Sequence, residues 1–94
     1  MPDQLAGMRV FAAVARSGAL TRAAKELRMS QTMATKHVDA LEARLGVRLL
    51  HRTTRALSLT EAGRDYLAAC ERILADIEEA EASAAEGRAH PRGL

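Results

Sequence analysis

The chain is poor in the residues that staple, colour or catalyse. Its 94 residues include one cysteine, one phenylalanine, one tyrosine, two prolines and no tryptophan. With Cys70 alone, disulfide bridges within the chain are excluded. The three histidines (His37, His51 and His90) and Cys70 show no ligand-type spacing, so no metal centre is expected. There is no Gly-rich phosphate loop, no G-x-S-x-G elbow and no H-E-x-x-H pair. No nucleophile or acid/base pair with a partner can be located either, so the chain is read as no enzyme and as needing no cofactor. The apolar runs fall far short of a membrane span, and a start bearing Asp3 is no signal peptide, which makes the cytoplasm the expected compartment.

What is present suits one small folded domain, 48% hydrophobic and 28% charged. Twenty of those hydrophobic residues are alanines, which bury little area, and twelve leucines supply most of the apolar volume. Such a core is thin, and a domain of this size often leans on a partner chain. The net charge is only +2, but residues 1–59 carry ten Lys/Arg against four Asp/Glu. Residues 60–94 carry four against eight. A basic head followed by an acidic, alanine-rich segment points to a nucleic-acid-binding unit joined to a helix with another task.

Periodicity divides the chain further. Leu5, Met8, Phe11, Ala12 and Ala15 form one apolar face of a helix over 4–16, ended by Ser17-Gly18. A short helix over 20–27 turns Ala23, Ala24 and Leu27 inward, and Arg28-Met29 makes a tight connection. Ser30 is placed to cap a third helix over 31–45, whose buried stripe is Ala34, Val38, Leu41 and Leu45, closed by Gly46. The period then shortens to that of strands over 47–51 and 56–59, with a turn over 52–55. Thr60 caps a last helix over 61–86, in which Gly63 is a weak spot and after which Gly87 breaks the pattern.

Three helices followed by a β-hairpin make a mainly α, winged helix-turn-helix arrangement, here with a long helix appended. Small residues at Ala23 and Ala24 allow the close crossing of the second and third helices. The start of the third helix would then enter the DNA major groove. Gln31, Thr32, Thr35 and Lys36 form one polar patch there, opposite the apolar stripe. Glutamine can pair bidentately with adenine, lysine can reach guanine or phosphate, and a threonine methyl can meet that of thymine. Ser30 and the first helical amides can hold a phosphate. Arg52, Thr53, Thr54 and Arg55 at the hairpin tip suit phosphate or minor-groove contact. On pattern alone, the same polar face is also what a merely solvated helix shows.

The run Phe11-Ala12-Ala13-Val14-Ala15-Arg16-Ser17-Gly18-Ala19-Leu20-Thr21-Arg22-Ala23-Ala24-Lys25-Glu26-Leu27 resembles the opening of LysR-type transcriptional regulators. Ser30-Gln31-Thr32-Met33-Ala34-Thr35-Lys36-His37-Val38, Leu41-Glu42, Leu45-Gly46-Val47-Arg48-Leu49-Leu50-His51-Arg52 and Leu59-Thr60-Glu61-Ala62-Gly63 continue the resemblance in order. It covers nearly the whole chain. It implies a DNA-binding head over 1–59, a linker helix over 60–87 that pairs two copies, and a hinge over 88–94 leading to an effector domain not included here. It further implies bacterial transcription control as a homodimer on a dyad-symmetric operator in double-stranded DNA, at the nucleoid when bound. A small-molecule inducer would act only through the effector domain. The resemblance places Gln31, Thr32, Thr35 and Lys36 where the family's recognition helix, 30–45 here, meets bases and phosphates. Within the wing, 49–59, it places Arg52 where an arginine meets the minor groove or backbone. Thr32 departs from the proline of many members, so the first turn lacks that fixed start.

In the last helix Tyr66, Cys70, Ile73, Ile77, Ala80 and Ala84 recur at alternating intervals of four and three, a heptad-like seam widened by Leu67 and Leu74. Tyr66, Cys70, Ile73, Leu74, Ile77 and Ala80 are the expected dimerisation residues. Such a stripe can alternatively cover the chain's own head. Cys70 fits the seam as a small apolar residue, and no second cysteine exists to resolve an oxidised one. The rival to a DNA reader is a winged-helix interaction module that pairs through its long helix and leaves DNA alone.

Overall fold

The computed structural model describes residues 4–53 and 57–89, with side chains described as far as residue 86. The described residues form four helices: α1 (Gln4–Ser17), α2 (Leu20–Glu26), α3 (Gln31–Leu45) and α4 (Glu61–Ala89). Between α3 and α4, β1 (Leu50–Arg52) and β2 (Leu57–Leu59) pair antiparallel, with Leu50 opposite Leu59 and Arg52 opposite Leu57. Three helices, a two-stranded wing and a long final helix are the winged helix-turn-helix expected.

Helix α1 is the hub. Its expected apolar stripe proves too narrow, because Gly7, Met8 and every residue from Val10 to Val14 are buried, leaving Arg9 exposed among them. The reason is that α2, α3 and α4 all pack on α1. Phe11 has no accessible surface and meets Tyr66 of α4 with ring centroids 5.7 Å apart. Leu5 and Leu20 pack at the edge of this core.

The connection from α2 to α3 has a specific geometry. Arg28 adopts a left-handed conformation, φ 58°, just after the C-cap Leu27. Met29 N donates to Ala24 O at 2.9 Å and Arg28 N to Lys25 O at 3.2 Å, the paired bonds of a Schellman cap. A β-carbon at this φ is disfavoured, so Arg28→Gly is expected to raise stability by about 0.5–1 kcal/mol in urea unfolding. A loss of stability would contradict this reading of the turn.

The strands depart from expectation at their ends. The first begins at Leu50 rather than residue 47, because its partner strand ends at Leu59, opposite Leu50, and the chain then turns into α4. Val47 N joins Gly46 N on Glu42 O, closing α3 through the left-handed Gly46. Leu49 N goes to the Glu42 carboxylate. The expected turn residues Thr54 and Arg55, with Ala56, lie outside the described residues. Thr60 caps α4 as expected, its Oγ1 accepting from Gly63 N at 2.9 Å while donating to Arg48 O at 2.7 Å. Gly87 does not end that helix, which continues to Ala89; an interior glycine costs a helix about 1 kcal/mol but removes no backbone donor. Apart from residues 88 and 89 in that helix, the expected hinge lies outside the described residues. At 29 residues, α4 measures about 43 Å.

Candidate nucleic-acid interface

The recognition-helix expectation maps onto a well-defined surface. Ala23 and Ala24 are buried where α2 crosses α3, and the absence of larger side chains there lets the two helices approach. Ser30 sits outside the helix in extended conformation and its Oγ accepts from Met33 N at 3.0 Å. That bond leaves the Ser30 hydroxyl proton available to a phosphate oxygen. Gln31, Thr32 and Lys36 are exposed, and Thr35 is half-buried beside them. Ala34, Val38 and Leu41 lie under α3 and are fully buried, so the polar patch has a rigid backing. Leu45, expected in the same stripe, is 41% exposed. At the last turn of α3 it lines an open groove with Val47, Ala62 and Tyr66. Met33, not singled out from the pattern, is 48% exposed in the first turn of α3 beside Gln31 and Thr32.

The wing is anchored in a way the pattern did not disclose. Glu42 of α3 is the one charged residue among the buried described residues, at 8% exposure. Its Oε2 accepts from Leu49 N at 2.8 Å and Leu50 N at 3.1 Å. Its Oε1 faces Arg52 Nη2 at 3.3 Å and Arg48 Nη1 at 3.7 Å. One carboxylate thus satisfies the two amides entering β1 and ties the wing to the recognition helix.

Arg52, expected to reach outward, is turned back. Its Nη2 lies 3.0 Å from Asp39 Oδ1, and its Nε is buried without a hydrogen-bond partner among the described residues. With its side chain 27% exposed, Arg52 first serves to position the wing. Thr53 is exposed at the end of β1. Arg55 falls outside the described residues.

The expected pairing seam divides into two parts. Cys70 has no accessible surface and belongs to the head's core, with Tyr66 and Leu67 packed against that cluster. Cys70 is therefore a core residue and leaves the expected dimerisation seam. Because α4 supplies these side chains, the head is not complete at residue 59. Burial pushes the Cys70 thiol above its ordinary range, which opposes thiolate chemistry. Burial likewise raises Tyr66, with further upward contributions from Cys70, while Arg44 opposes them. Further along α4, Ile73 is 41% exposed, Leu74 and Ile77 are half-buried and Ala80 is exposed. Leu74 lines a shallow groove of about 350 Å³ with Arg9, Arg16, Leu27 and Glu78. No helix among the described residues is long and apolar enough to cross a membrane.

Residues 5–64 match the family described as bacterial regulatory helix-turn-helix protein, lysR family. An HTH-type transcriptional regulator of Xanthomonas campestris is 42% identical over 99% of this chain and 27% of its own length. An HTH-type transcriptional repressor of Pseudomonas aeruginosa is 45% identical over 97% of this chain and 29% of its own. The chain therefore spans less than a third of the length of these relatives. Among solved structures, the CbnR DNA-binding domain in complex with DNA superposes with a TM-score of 0.80 and 41% identity, covering 96% of this chain and all of that one. The BenM DNA-binding domain, in complex with catB site 1 DNA, shares the fold with a TM-score of 0.90 at 23% identity, over 96% and 100% of the two chains.

Proposed function

The chain belongs to the LysR family of bacterial regulatory helix-turn-helix proteins, and from that premise we propose that it reads a specific sequence in double-stranded DNA for a transcriptional regulator. The observation that carries this is the start of α3. There an N-capped helix presents Gln31, Thr32 and Lys36 to solvent while Ala34, Val38 and Leu41 hold its other side in the core. A helix so displayed fits the major groove, where glutamine and lysine can read base edges. Ser30 and the first amides of α3 meet a phosphate, and Thr53 and Arg55 extend the contact along the backbone. The DNA complex of the CbnR domain supports the same reading.

Two copies bind a dyad-symmetric operator, paired through Ile73, Leu74, Ile77 and Ala80 of α4. These are the expected seam residues that lie beyond Tyr66 and Cys70, which pack into the chain's own core. The residues of this site hold no catalytic role, and the setting is the bacterial cytoplasm. The longer relatives fit an arrangement in which inducer binding belongs to a separate part of the regulator.

Gln31→Ala and Lys36→Ala test the base-reading role. On a duplex enriched from a random pool, each is expected to weaken binding by about ten-fold or more, the loss of one side chain's base contacts. On random-sequence duplex the loss should be only a few-fold. Equal losses on both DNAs, measured by fluorescence anisotropy, would contradict direct readout by this helix.

A further inference from the structure

Asp39 raises a problem for the interface just described. It lies three and four residues beyond Lys36 and Thr35, on the same face of α3. Its carboxylate is 56% exposed. An uncompensated carboxylate there would repel the phosphate backbone that the face approaches. Arg52 neutralises it, reaching from the wing to place Nη2 at 3.0 Å from Oδ1.

We propose that Asp39 occupies the position of a DNA phosphate on Arg52, so that the wing engages the backbone by exchanging Asp39 for phosphate while Glu42 keeps the guanidinium in place. This rests on the DNA-binding reading above. The two acceptors of Nη2 differ in the way the exchange requires. Glu42 is 8% exposed and also holds the amides of Leu49 and Leu50, so it cannot leave without orphaning buried groups. Asp39 is in water, where an ion pair is worth at most about a factor of five. A phosphate offers the same anionic oxygen and accepts two guanidinium donors at once. Asp39 therefore acts as a positioning residue: it holds Arg52 ready, and lowers the wing's affinity for backbone until a phosphate is in register.

A double-mutant cycle isolates the exchange, using a random-sequence 20-base-pair duplex because a phosphate contact is blind to sequence. Asp39→Asn is measured with Arg52 present and in the Arg52→Gln background, across salt, by anisotropy. Removing a negative charge tightens binding in both backgrounds. Exchange adds the cost of breaking the pair, so the tightening should be about two- to five-fold larger when Arg52 is present. The salt slope should also fall by about one unit on Arg52→Gln. Arg52→Met gives a second neutral background if Arg52→Gln melts too low for the titration. Equal tightening in the two backgrounds would overturn the exchange, since it means the pair survives in the complex or Arg52 never meets a phosphate. Failure of the unmutated chain to bind any duplex would instead overturn the DNA-binding reading itself.

Discussion

Gly63→Ala is expected to destabilise the protein by about 2–3 kcal/mol, although it replaces a glycine inside a helix with the best helix former. On helix propensity alone the change should stabilise by about 1 kcal/mol. The opposite sign is expected because α4 starts directly over the backbone entering the wing. A β-carbon on Gly63 would lie 2.1 Å from Leu49 O, 3.0 Å from Leu49 C and 3.3 Å from Leu49 Cα. These are backbone atoms, and the same carbonyl oxygen accepts from Thr60 N at 3.0 Å. Neither side can give way without breaking the α4 cap or shifting β1. Thermal unfolding should therefore drop by roughly 10 °C or more for a domain of this size. A variant as stable as the unmutated chain would show that α4 does not cross Leu49 so closely.

Glu42→Ala should be costlier still, about 3 kcal/mol or more. The loss leaves the amides of Leu49 and Leu50 without an acceptor and Arg52 without its buried counter-charge. Glu42→Gln keeps one carbonyl oxygen for the two amides but turns an NH₂ toward Arg52, so roughly half the loss is expected. Chemical denaturation of the pair separates the two contributions. A cost below about 1 kcal/mol for Glu42→Ala would mean that the wing holds its place without the carboxylate.

Much of the framework was legible because local rules and the fold agree. Ser30, Gly46 and Thr60 mark helix ends by chemistry that acts within a few residues, and each does so here. The polar start of α3 and its alanine and valine underside follow from a 3.6-residue period. What escaped was set by distant partners. Glu42, beside Leu41, reads as a solvated position until β1 is placed over it. Gly63 reads as a flaw in a helix until Leu49 is seen against it. Arg52 reads as an outward cation because Asp39 and Glu42, thirteen and ten residues earlier, give no local sign of turning it back. The heptad-like seam of α4 merges two apolar stripes in one register. Cys70 and Tyr66 serve the chain's own head, and a single period cannot separate them from Ile73 and Ile77.

The most direct measurement is selection from a pool of randomised duplexes, followed by anisotropy of the enriched sites across a range of salt. A dyad-symmetric sequence should be enriched, bound far more tightly than the starting pool, with affinity falling steeply as salt rises. Enrichment of no sequence, together with affinity that ignores salt, would contradict a paired recognition helix reading DNA.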